Sequence, residues 1–165
     1  MLDWIRVDVD GAVSVLLRLL IAWLLAIPVG WERERRSRSL GLRTFPLVAM
    51  ASAAYLTIAE ELYVLDANAQ ARVLQGLVAG IGFIGGGAIL RSRDESYVTG
   101  TATAAAVWAT GAVGASVAYG RLDIAICISA ITFATFRWVT PFKTVINGHS
   151  EVDAVRNTAV DDEDG

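Results

Sequence analysis

Apolar residues run along this chain in five blocks: Ala12–Trp31, Phe45–Leu65, Val73–Leu90, Thr99–Ala118 and Leu122–Phe142. Each is at or near the length of about 20 residues that a helix needs to cross the hydrocarbon core of a bilayer. A helix of a soluble protein pairs an apolar stripe with a charged face. The third and fourth blocks contain no charged residue and so offer water no face. Inside lipid the backbone must satisfy its own hydrogen bonds, which predicts helices rather than isolated strands. The fold class predicted is therefore all-α: a polytopic transmembrane helical bundle of about five spans over residues 12–142. Residues 1–11 form a short extracellular segment. Residues 143–165 form a polar tail that ends Asp161-Asp162-Glu163-Asp164 and is predicted to be disordered.

Composition agrees. Of 165 residues, 55% are apolar and 19% charged, against about 45–50% and 25% in soluble domains, and mean hydropathy is +0.50. A disordered chain, a collagen-like fibre and a disulfide scaffold are excluded. Cys127, the one cysteine, has no internal partner and reads as inert packing between Ile126 and Ile128. A net charge of −3 without a long basic patch argues against nucleic acid as a partner.

The basic residues set the direction. Arg33, Arg35, Arg36, Arg38 and Arg43 lie in the first connection, Arg91 and Arg93 in the third, and Arg137, Lys143 and Arg156 at and beyond the end of the last span. Only Arg6, Arg72 and Arg121 lie on the opposite side. The positive-inside rule then predicts a multi-pass protein of the cell membrane, with its N-terminus outside and its C-terminus in the cytoplasm.

Three features inside the spans bear on chemistry. The third span carries Gly76, Gly80, Gly82, Gly85, Gly86 and Gly87 within twelve residues. Gly76/Gly80 and Gly82/Gly86 have the i, i+4 spacing that lets helix backbones approach closely; a broken helix exposing its carbonyls is the other reading. In the fourth span Thr99, Thr103, Ala106, Thr110 and Gly114 share one helical face, predicted to pack against the glycine span or to line a polar pathway. Arg18 lies roughly 9 Å inside the first span, at 1.5 Å per residue, and Glu60 and Glu61 lie roughly 6–8 Å inside the second. An arginine at such depth needs a partner, so Arg18 is predicted to pair with Glu60 or Glu61. Gly80-Ile-Gly82-Phe-Ile-Gly85 formally matches a dinucleotide fingerprint, but no strand precedes it and no acidic residue follows at the required distance.

Certain residues carry a family likeness in their order along the chain. They are Gly30-Trp31-Glu32-Arg33-Glu34, Gly41-Leu42-Arg43-Thr44, Arg72 ahead of the run from Gly80 to Arg91, and Thr101-Ala102-Thr103-Ala104-Ala105 with Trp108. Over roughly residues 12–140 the chain resembles the MgtC/SapB family of small membrane proteins. It departs from the family pattern at Thr99 and Thr101. The resemblance implies a bundle of transmembrane helices with no known catalytic activity, in a family associated with growth in limiting magnesium and with survival of pathogens inside host cells. Longer members add a cytosolic domain after the last span, which this chain is too short to contain. By matching position, the family-motif residues are Glu32, Arg33, Gly41, Arg43, Thr44, Arg72, Gly80, Gly82, Gly85, Thr101 and Thr103. Glu32 and Arg43, at the ends of consecutive spans, are predicted to meet as an interfacial ion pair.

Two functions follow. One is a non-enzymatic modulator of ion or membrane-energy homeostasis, acting through helix contacts with another membrane protein or a second copy. The other is a small homo-oligomeric cation transporter or channel. Magnesium wants oxygen ligands, carboxylates among them, and the third and fourth spans supply no carboxylate, so no metal site and no cofactor are predicted. An enzyme is disfavoured. The sole histidine, His149, lies in the tail, and the spans hold no Ser/His pair and no HExxH helix.

Overall fold

The structure, a computed structural model, describes residues 9–36, 40–64, 66–91 and 98–139. The predicted tail 143–165 and most of the N-terminal segment lie outside them. Among the described residues there are five α-helices: α1 (Val9–Arg36), α2 (Thr44–Leu62), α3 (Ala67–Gly86), α4 (Thr101–Ala118) and α5 (Leu122–Ala134). A π-helical turn over Thr135–Val139 continues α5. Successive helices run antiparallel. The end of α1, the starts of α2 and α4, the end of α3 and the π turn therefore share one end of the bundle, called here the loop end.

The helices begin and stop for local reasons. Pro46 falls in the first turn of α2, where its missing N–H would have no intrahelical partner in any case. Asp66 caps α3 by accepting from the Ala69 N–H at 2.9 Å. Gly120, at φ +68°, ends α4 in a Schellman turn. There its own N–H donates to Val117 O at 3.1 Å and the Arg121 N–H to Ser116 O at 2.8 Å.

Four helices, α1, α2, α4 and α5 with its π turn, are long and apolar enough to cross a membrane. The fifth, α3, begins six residues earlier than the predicted span and stops four sooner. It takes in Asn68, Gln70 and Arg72, and these with its glycines dilute its hydropathy. The connection from α3 to α4 holds a feature not predicted, a two-residue antiparallel bridge in which Leu90 pairs with Thr99 and Arg91 with Val98. Gly100 then turns the chain into α4. Its φ is +88°, and a Cβ there would overlap the Ala88 carbonyl oxygen, so only glycine fits.

Helix α4 is the hub and touches each of the other four. Its buried face meets α1 and α2 through small side chains, among them Ala22 and Ala26 of α1, Ala49 and Ala53 of α2, and Ala106 and Val107 of α4. Small residues suit helices that associate within lipid, where close van der Waals approach replaces the hydrophobic drive. Leu16, Leu20, Trp23 and Leu24 of α1 and Ile131 of α5 face outward, as a lipid-facing surface requires. Cys127 is on that surface too, exposed rather than packed between helices.

Candidate functional site

The loop end gathers most of the motif residues. Helical spacing turns Val29, Gly30, Glu32 and Arg33 of α1 toward the bundle, and Glu32 is only 5% exposed. Gly30 lets α2's approach pass closely; a Cβ there would stand 3.2 Å from the Leu42 Cα. Arg33 reaches across to α4, where its Nη2 donates to Oγ1 of the buried Thr103. The same guanidinium lies 4.8 Å from the centre of the Phe136 ring, in the π turn after α5. One cation thus ties three segments together, by a charge-assisted hydrogen bond and a cation–π contact. The π turn wraps one more residue into its ring than an α turn, and it presents Phe136 inward while Thr135 and Arg137 on either side are exposed.

The return from α1 to α2 is held by Glu34, whose Oε2 accepts the Leu42 N–H at 3.0 Å. Gly41 is needed for this, because a Cβ there would overlap the same carboxylate. The N–H groups of Thr44 and Phe45 donate to Gly41 O at 3.0 and 3.2 Å and start α2. Arg43 does not pair with Glu32. It is exposed beside a groove between α2 and α3, Glu32 is buried on α1, and no ion pair joins them among the described residues. Glu32 is buried near the end of α1 and Arg43 exposed before α2, a difference in facing that spacing alone does not reveal.

At the opposite end Arg18 Nη1 donates to Glu60 Oε2 and to the Ala118 carbonyl, each at 3.0 Å, and so links α1, α2 and α4. Glu61 is more exposed, and of the two carboxylates it is Glu60 that takes the arginine. The pair stands beside a cavity of about 490 Å³ that Thr57 and Tyr119 also line.

The glycines divide. Gly85 is packed, with a notional Cβ 3.1 Å from Ala104 O of α4. Gly76, Gly80, Gly82 and Gly86 have nothing within 4 Å of where a Cβ would stand. The threonine face of α4 does not pack on them either. Thr103 turns to α1, Thr110 bonds back to Ala106 O at 2.8 Å, and Gly114 abuts Ala49 and Ser52 of α2. What meets α3 is Ala104, against Gly85, and Gly111, against Ile81. Thr101 is exposed in the first turn of α4, and Arg72 is exposed on α3 toward the opposite end. Sequence reasoning passed over Phe136, Gly100 and the capping role of Glu34. Only the charge of Glu34 at a span end gave any signal. Among the described residues no group of three His, Cys, Asp or Glu side chains is placed to hold a metal ion.

A match to the MgtC family covers residues 19–145, which begins one residue after Arg18 and takes in Glu60 and the Arg33 cluster. The chain belongs to the MgtC family. With four apolar helices of spanning length, this MgtC-family chain is a membrane protein with a lipid bilayer around it. SrpB of Synechococcus elongatus is 37% identical over 128 residues, 72% of this chain and 70% of that protein. YhiD of Escherichia coli K12, whose name links it to magnesium transport, is 33% identical over 123 residues, 71% of this chain and 56% of that protein. MgtC of Salmonella typhimurium is 34% identical over 116 residues, 70% of this chain and 48% of that protein. The chain thus spans about half the length of YhiD and MgtC. No solved structure matches it.

Proposed function

We propose that this chain is a non-enzymatic, multi-pass protein of the cell membrane that modulates magnesium-linked ion or membrane-energy homeostasis by docking α3 on another membrane helix, from a second copy or a different protein. The loop end faces the cytoplasm and the N-terminus lies outside, because the arginines cluster at that end. The observation that carries this reading is the outward stripe of α3. Gly82 and Gly86 have no neighbour within 4 Å of a notional Cβ, and Phe83 beside them is 86% exposed. Glycine weakens a helix by about 1 kcal/mol against alanine, a cost that close packing ordinarily offsets, and these two glycines have no such packing among the described residues. A neighbouring helix supplies it.

The experiment has two arms. Cells lacking this chain are grown in limiting magnesium and complemented with wild type or with Gly82→Leu, which has room inside the chain. Purified protein is reconstituted in liposomes and assayed for magnesium flux. Loss of complementation by Gly82→Leu at unchanged abundance, with no flux from wild type, supports docking. Flux from wild type that Thr103→Leu abolishes while the protein still folds replaces the proposal with an oligomeric cation transporter.

A further inference from the structure

The groove between α2 and α3 is a lateral cleft of about 650 Å³. Leu47, Val48 and Ala51 of α2 face Leu77 and Ile81 of α3 across it, and Gly76 and Gly80 leave its floor open. Of the hydroxyl residues on the α2 wall, Ser52 is internally satisfied, donating to Val48 O at 2.7 Å, and Thr44 and Tyr55 stand at the two ends. The groove runs from Thr44 to Tyr55 on α2 and from Ile84 to Val73 on α3. Eleven steps of 1.5 Å make about 16 Å on either wall. Half of a hydrocarbon core about 30 Å thick is about 15 Å, the depth of one leaflet.

The mouth differs from the walls. Arg43 stands there, exposed and with no ion-pair partner among the described residues. An apolar slot one leaflet deep, with an uncompensated cation at its interfacial end, has the charge and the length of one kind of molecule. We propose that this groove binds an anionic phospholipid, with an acyl chain lying along Gly76 and Gly80 and the phosphate at Arg43. Guanidinium groups hold phosphate by paired hydrogen bonds, and basic pockets between membrane helices select anionic headgroups.

The test is native mass spectrometry of the full chain purified in detergent with equimolar palmitoyl-oleoyl phosphatidylglycerol and phosphatidylcholine. Wild type retains phosphatidylglycerol in preference. Arg43→Gln lowers that preference about fivefold, the effect of one arginine near an anionic surface, and leaves total lipid retention in place. Gly80→Leu fills the floor and lowers retention of both lipids, with circular dichroism and melting unchanged. If Gly80→Leu does not fold, Gly76→Leu gives the same reading one turn away. Equal retention of the two lipids by wild type overturns the proposal, as does a preference that survives Arg43→Gln in full. So does a floor variant that keeps its lipid, or one that loses a dimer mass instead, which assigns the groove to a second copy.

Discussion

Gly114 offers the sharpest test of how this bundle is held. It lies on α4 against α2, and a methyl group there would stand 2.8 Å from the Ser52 Cβ and 2.9 Å from the Ala49 carbonyl carbon, with a deeper overlap on that carbonyl's oxygen. Carbon atoms rest about 3.5–4.0 Å apart, so Gly114→Ala forces the helices apart by about 0.7 Å or more. A gap of that size forfeits roughly a quarter to a half of the dispersion energy of atoms facing across it. The seam it opens is lined by Ala53 and Leu56 of α2 and by Val107, Val113 and Val117 of α4, all buried. Overpacked cores lose about 1–3 kcal/mol, and a clash with backbone, which has no rotamer to move to, belongs at about 3. Alanine returns about 1 kcal/mol of helix propensity. The expected net loss is about 2 kcal/mol, near a 30-fold shift in the unfolding equilibrium. Reversible unfolding in mixed micelles of dodecylmaltoside and dodecylsulfate, followed by circular dichroism, measures it. Gly82→Ala, which meets nothing within 4 Å, should be neutral or slightly stabilising. A Gly114→Ala protein as stable as wild type, or a Gly82→Ala protein just as damaged, would refute the reasoning.

Two other outcomes follow from named contacts. Thr103→Val removes the hydroxyl that accepts from Arg33 and should cost about 1–3 kcal/mol in the same assay, since a charged donor is left short of an acceptor; Thr103→Ser should restore most of it. At the other end, the Arg18 and Glu60 side chains are 38% and 46% exposed. A double-mutant cycle of Arg18→Leu and Glu60→Leu should therefore give a coupling below about 1 kcal/mol, and a coupling above 3 kcal/mol would show a pair far more sheltered than this geometry.

The helical bundle was legible because apolar run length is a signal each segment carries alone. Span ends were legible only to within a few residues, because caps such as Asp66 and the Schellman turn at Gly120 decide them. The depth estimate put Arg18 level with Glu60 and Glu61, and the structure sets it against Glu60. Depth along parallel rods reads from counting residues, whereas facing does not. That is why packing on the glycine span, one of the two readings of the threonine face, names the wrong neighbour. Thr103 and Gly114 pack on α1 and α2, and most of the glycines of α3 pack on nothing described. The rotation of α4 is fixed by whichever surface accepts it most closely, a property of two helices at once. The Arg33–Phe136 contact was likewise unreadable, because a π turn leaves no mark in apolar spacing.

Helix α3 is pinned at both ends and slack between them. Its start is fastened by Asp66 and by the Gln70 amide donating to Tyr63 O at 2.9 Å, its finish by Gly85 on Ala104 and the Ala88–Gly100 crossing. Between those fastenings only Ile81 is buried. A rod held so bends most cheaply at its centre, since displacement there uncovers little that was hidden. Bowing of this glycine-rich strut would change the width of the cleft beside it.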